Sequence, residues 1–169
     1  MTKQRGIFRR LALVLCISAL VFAVGCSSAK KKEDEGGVPT APAADENTTL
    51  GDSDSGQAMG LQTVHFPYDS FILDPQAKGV LKSNADILTS KTNLKVQIEG
   101  HCDQRGGIQY NIALGEKRAN STKKYLEDLG VAGDRMTVIS FGKEKPIDPS
   151  ETDAAYAKNR RSNFVITSQ

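Results

Sequence analysis

The 169-residue chain carries 22 Lys and Arg against 20 Asp and Glu, an even balance that excludes a basic nucleic-acid-binding surface. Its three cysteines and two histidines show no CxxC or HxxxH spacing, so neither a disulfide framework nor a zinc site is expected. The length allows one domain with one core beside any terminal segments.

Lys3, Arg5, Arg9 and Arg10 precede an apolar run over residues 11–24 that ends at Gly25-Cys26. A basic start, about fourteen apolar residues and a small residue before the break describe a secretory signal peptide. The run is too short to span a bilayer comfortably. Because the break falls before a cysteine, lipoprotein processing is expected. Residues 1–25 then leave, and Cys26 is the lipidated residue, N-palmitoylated and carrying an S-diacylglycerol. Cys16 is the rival, but it lies inside the apolar run behind the bulky Leu15, and Ala23 stands where this processing pattern prefers Leu. Ser27 follows Cys26, and a Cys-Asp start would favour retention at the inner membrane. The expected location is therefore the outer membrane, by a lipid anchor, with the globular part in the periplasm. One acyl chain holds only marginally and two hold stably.

Residues 27–60 are rich in Ser, Lys, Glu, Asp, Gly, Pro and Ala and contain no aromatic residue. They bury too little apolar surface to order themselves, so residues 26–60 are expected to form a disordered tether. The run Lys30-Lys31-Lys32-Glu33-Asp34-Glu35 reads as solvated. About 34 flexible residues span roughly 30 Å root-mean-square and reach about 110 Å when taut.

The domain is expected over residues 61–169. A first strand is predicted over 61–66, with Val64 and Phe66 facing one way and His65 the other. Asp74-Pro75 is a helix start, and Ala77, Val80, Leu81, Ile87 and Leu88 follow helical spacing. A second strand is predicted over 94–99. A second helix runs from about residue 110 to 129 and stops at Gly130. Its core stripe is Ile112, Gly115, Ala119, Thr122, Leu126 and Leu129, with Arg118 beside it. A strand over 136–141, a short helix over 153–158 and a strand over 161–167 complete the chain. The order βαβαβ(α)β reads as an α/β (α+β) sandwich with helices packed on one face of a mixed sheet.

Chemistry concentrates between the second strand and the second helix. There Glu99-Gly-His-Cys-Asp-Gln-Arg-Gly106 precedes Tyr110-Asn111, Leu114-Gly115 and Arg118-Ala119. Asp103 falls in the loop and Arg118 a couple of turns into the helix. A carboxylate accepts from an ammonium, and the planar fork of Arg holds a carboxylate bidentately, so the pair suits a zwitterionic, amino-acid-like group. Blander roles exist for both: Asp103 as a loop cap, Arg118 as a surface charge or a partner of Glu99. His101, Cys102 and Asp103 are consecutive, which fits neither a metal site nor a Cys–His nucleophile and base.

These residues resemble the peptidoglycan-binding domain shared by OmpA-like proteins. Gly142-Lys-Glu-Lys-Pro146 and Ala154-Ala-Tyr-Ala-Lys-Asn-Arg-Arg161 narrow the resemblance to the peptidoglycan-associated lipoproteins, over residues 64–165. The resemblance implies a non-catalytic binding module with no cofactor and no metal. Its ligand would be the diaminopimelate of the peptidoglycan stem peptide. It implies Asp69, Asp103, Asn111, Leu114 and Arg118 as the binding residues, with Tyr68 and Arg105 at the pocket rim. It also implies the Tol-Pal system, with TolB as a periplasmic partner and roles in envelope integrity and outer-membrane constriction at division. An OmpA-like lipoprotein outside that system and a cell-wall hydrolase are the alternatives. Gln104 stands where these proteins often carry Glu, and Gly107 replaces the usual Thr. Asn159-Arg160-Arg161 is expected to fix the last strand through ion pairs.

Overall fold

The structure, a computed structural model, describes residues 50–169. The expected signal peptide, Cys26 and the expected tether as far as residue 49 lie outside the described residues.

The Asp74 carboxylate accepts from the Ala77 N–H at 2.8 Å and Pro75 occupies the first turn, where a missing N–H costs nothing. This starts α1 (Pro75–Ser90). The other elements are β1 (Val64–His65), β2 (Lys95–His101), α2 (Ile108–Asp128), β3 (Met136–Gly142), α3 (Asp153–Asn159) and β4 (Arg161–Ser168). One turn of 3-10 helix, Gly133–Arg135, leads into β3 and had no counterpart in the predicted pattern. The strands form one mixed sheet in the order β1-β4-β2-β3, with β2 and β3 parallel and the other pairs antiparallel. Alternation along the strands sends Val96, Ile98, Phe164 and Ile166 into a core shared with Leu81 and Leu88 of α1 and with Ala119 and Leu126 of α2. The α/β sandwich expected from the pattern is the observed fold.

Three local readings need correction. First, β1 is two residues long, because Gln62 bonds to a side chain instead of a strand. Asn84, fully buried on α1, accepts from the Gln62 N–H at 2.9 Å and donates to its carbonyl at 2.8 Å. Second, residues 50–60, read as the end of a tether, belong to the domain. Leu50 donates to the Ile166 carbonyl at 3.1 Å, Ile166 donates back to Gly51 at 2.9 Å, and Ser53 donates to Phe164 at 2.9 Å. Ala58 is buried in the core, and Asp54 accepts from Arg161 Nε at 2.7 Å. Backbone pairing needs no apolar side chains, so a composition argument misses it. Third, Leu129 is not a core residue. The helix ends in a left-handed Gly130, and the N–H of Val131 folds back onto the Leu126 carbonyl at 3.0 Å. Val131 is buried while Leu129 is exposed.

The register of α2 on the sheet follows from two glycines. A Cβ on Gly100 would lie 1.9 Å from the Gly115 carbonyl oxygen, and one on Gly115 would lie 2.3 Å from Ser140 Oγ. Only the missing side chains let the helix backbone sit this close to β2 and β3. That contact sets Arg118, one turn further on, beside the loop that leaves β2.

Candidate functional site

The loop after β1, the loop after β2 and the first turns of α2 enclose a pocket of about 60 Å³. All seven predicted residues line it: Tyr68, Asp69, Asp103, Arg105, Asn111, Leu114 and Arg118. Cys102, Gly106 and Tyr110 complete the wall. A larger hollow of about 500 Å³ opens among Thr63, His65, Asp74, Val80 and Lys158, but no residue of the 100–119 motif lines it.

Arg118 is 1% exposed. Its Nε donates to the Ser70 carbonyl at 2.8 Å and its Nη2 to the Pro67 carbonyl at 3.2 Å. Its Nη1 donates to the His101 carbonyl at 2.9 Å and to Cys102 Sγ at 3.4 Å. The side chain thus binds the β1 loop to the end of β2 and does not present an open fork, as the sequence reading expected. Burial lowers its pKa, yet a guanidinium stays protonated. Among the described residues no carboxylate oxygen is hydrogen-bonded to it. The alternative partner Glu99 accepts instead from Asn163 Nδ2 at 3.0 Å and meets His101 Nε2 at 3.3 Å. His101 is held neutral by burial, which lowers its pKa, so the contact with Glu99 is a hydrogen bond from a neutral ring.

Asp103 is also buried, and its partners are the backbone N–H and guanidinium of Arg105 and the guanidinium of Arg160. Oδ1 accepts from the Arg105 N–H and from Arg105 Nε, both at 3.2 Å. Oδ2 accepts from Arg105 Nη2 at 2.7 Å and from Arg160 Nη1 at 3.3 Å. Burial alone would raise this carboxyl. The Arg105 and Arg160 hydrogen bonds outweigh it and hold the pKa below the ordinary value. The Arg105 guanidinium lies between the rings of Tyr68 and Tyr156, 4.2 and 4.4 Å from their centroids. Asp103 is therefore a cap on its own loop, through the Arg105 N–H, and also the hub of two ion pairs.

Asp69 contrasts with it. Its side chain is exposed and accepts from the Tyr110 hydroxyl. The backbone stands at φ 51°, a left-handed conformation that Asp tolerates better than most residues. Strain of this kind collects at functional sites. Asn111 is buried and donates to the Arg105 carbonyl at 2.8 Å and the Gly107 carbonyl at 3.1 Å, so it shapes the loop that carries Asp103. Lys143 clamps the same loop from β3's end, reaching the Gly106 carbonyl at 2.7 Å. Gly107 caps α2 without a side-chain hydrogen bond, so these carbonyl contacts add to the Asp103–Arg105 bonds in ordering the loop. Burial raises the Cys102 thiol, which donates to the Asn111 carbonyl at 3.3 Å.

Sequence reasoning missed Arg160, Tyr156 and the role of Tyr110. Arg160 lay in the Asn159-Arg160-Arg161 motif, whose expected ion pair is made by Arg161 to Asp54. Arg160 lines the larger hollow but reaches Asp103, with Nε on the Phe66 carbonyl at 3.0 Å and Nη1 on Asp103 at 3.3 Å. Asn159 holds the loop before α3 through the Ile147 and Asp148 N–H groups at 2.9 and 3.1 Å. The guanidinium groups of Arg105 and Arg118 share the pocket wall with the carboxylates of Asp69 and Asp103, and Arg160 adds a third guanidinium on Asp103. A hydrogen-bond acceptor stands exposed at one side and a buried cation without a carboxylate partner at the other.

A family model described as the OmpA family matches residues 65–160. The peptidoglycan-associated lipoprotein of Pseudomonas aeruginosa is 36% identical, over 92% of this chain and 94% of its own length. That of Buchnera aphidicola is 32% identical, over 96% of this chain and 98% of its own. Among solved structures, the peptidoglycan-associated lipoprotein from Burkholderia pseudomallei superposes with a TM-score of 0.60 at 38% identity, over 62% of this chain and 88% of that one. The C-terminal domain of Helicobacter pylori MotB has a TM-score of 0.61 at 20% identity, covering 65% of this chain and 87% of its own, which speaks to the fold alone.

Proposed function

The chain belongs to the OmpA family and, within it, to the peptidoglycan-associated lipoproteins, and from that premise we propose that it ties the outer membrane to the cell wall by binding peptidoglycan non-covalently. The ligand group is the diaminopimelate of the stem peptide, whose side-chain end carries an ammonium and a carboxylate. The observation that supports this reading is Arg118, buried at the pocket floor among carbonyl oxygens and a thiol, with an exposed carboxylate, Asp69, across the pocket. A buried charge is costly when uncompensated. A ligand carboxylate entering the pocket offsets that cost, while its ammonium is taken by the Asp103 carboxylate, with Asp69 beside it in the wall. No step of bond making is involved, and the residues act by binding and orienting.

Cys26 is the lipidated residue that holds the protein at the outer membrane, with the domain in the periplasm. The same reading places the protein in the Tol-Pal system, with TolB as its protein partner and a role in envelope constriction at division. Sedimentation with purified sacculi tests the ligand. The protein should co-sediment with diaminopimelate-type wall and release no soluble fragments. Lysine-type wall, which lacks the terminal carboxylate, should leave it in the supernatant. Equal binding to both wall types would overturn the assignment, and release of muropeptides would point to a hydrolase. Fatty-acid labelling of a Cys26→Ala variant tests the anchor, with label expected to vanish.

A further inference from the structure

We infer that Arg105 is the resting occupant of this pocket, a specificity-determining side chain that a ligand must displace from Asp103 with a cation of its own. The inference rests on reading the pocket as a diaminopimelate site. A carboxylate offers about four acceptor positions. On Asp103 three are taken by the N–H, Nε and Nη2 of Arg105 and another by Nη1 of Arg160. An incoming ammonium finds no open lone pair there until one arginine leaves. Arg105 is the one free to go: its side chain is 38% exposed, against 15% for Arg160. Arg160 is also tied to the Phe66 carbonyl at 3.0 Å.

Two independent features agree. The closed pocket measures about 60 Å³. Small-molecule sites typically exceed about 300 Å³, so a pocket this narrow gains room when the Arg105 side chain, which lines it, withdraws. In addition, the guanidinium is held between Tyr68 and Tyr156, and aromatic faces attract it with or without Asp103. Tyr68 is 63% exposed, so the clamp opens towards solvent. Displacement exchanges one cation for another on Asp103 and leaves the released guanidinium in aromatic contact. A ligand end with a carboxylate but no ammonium cannot make that exchange.

Calorimetry on the full chain tests this with a stem tripeptide ending in meso-diaminopimelate and with its analogue ending in 2-aminopimelate, which lacks the second ammonium. Arg105→Ala and Arg105→Gln should bind the diaminopimelate peptide about tenfold tighter than wild type, some 1.4 kcal/mol. Their preference for it over the analogue should widen by a similar factor. In the wild type, the Arg105 Nε–H resonance should shift when the diaminopimelate peptide saturates the site. Thermal melting identifies a variant that fails to fold, in which case the other decides. Equal or weaker binding by the folded variants, an unchanged preference or an unmoved resonance overturns the inference while leaving the ligand intact. Absence of binding by wild type and variants alike overturns the ligand reading, and the inference with it.

Discussion

Along α2, Ala119, Thr122 and Leu126 in the C-terminal half and Asn111, Leu114 and Arg118 in the N-terminal half are all buried, but against different partners. The C-terminal half lies on the sheet, where Ala119 and Leu126 fill apolar volume and Thr122 bonds to Ser162 at 3.2 Å. In the N-terminal half Gly115 still packs on the sheet, but Asn111 and Arg118 turn to the flanking loops and the end of β2, where burial means donating to backbone carbonyl groups. One half is specified by shape and the other by hydrogen-bond count. A core residue of similar volume can stand in for another in the first half. In the second, a replacement must reproduce every donor.

Arg118→Ala is the sharpest way to test that contrast. It leaves the Pro67, Ser70 and His101 carbonyls without this donor and should cost about 3 kcal/mol or more in chemical denaturation, at roughly 1 kcal/mol or more per group. Peptidoglycan binding by the folded fraction should fall about thirty-fold or more. Arg118→Lys should recover little of either, because an ammonium cannot span these acceptors. A variant as stable as wild type would show that the loops hold themselves. Leu126→Ala probes the other half: Leu126 is fully buried, and the variant should lose about 3 kcal/mol of stability while its folded fraction binds sacculi normally. A specific loss of binding there would mean that the two halves are coupled.

The ion pairs on Asp103 give a smaller, pH-dependent effect. A carboxyl whose pKa is lower in the folded state contributes stability above its unfolded value, near 3.9, and loses it as pH falls through the folded value. Asp103→Asn should therefore be less stable than wild type at pH 7, and the gap in denaturation midpoints should close below about pH 4. A gap that persists unchanged at pH 2 would assign the effect to shape. Smallest of all, Asp74→Ala removes the α1 cap, and Asp74 does not line the pocket. It should cost about 1 kcal/mol in thermal or chemical unfolding, with sacculus binding unaltered.

Much of this molecule was legible because periodicity and capping are local. The 3.6-residue spacing of α1, the alternation of β2 and the Asp74-Pro75 start need only neighbours in sequence, and each was found where expected. The pocket residues were legible through a motif, and all seven line one cavity. What they bond to was not. Whether Arg118 offers an open fork or spends its donors on Pro67, Ser70 and His101 depends on how closely Gly100 lets Gly115 approach, and on where the β1 loop closes over the helix. The same holds for Asp103, whose partners sit 2 and 57 positions away, and for residues 50–53, which pair with a strand more than a hundred residues later. Sequence alone determined which side chains carry charge and which elements form. Only the tertiary structure decided how those charges are satisfied, because a hydrogen-bond donor commits to whichever acceptor the packed chain brings within about 3 Å.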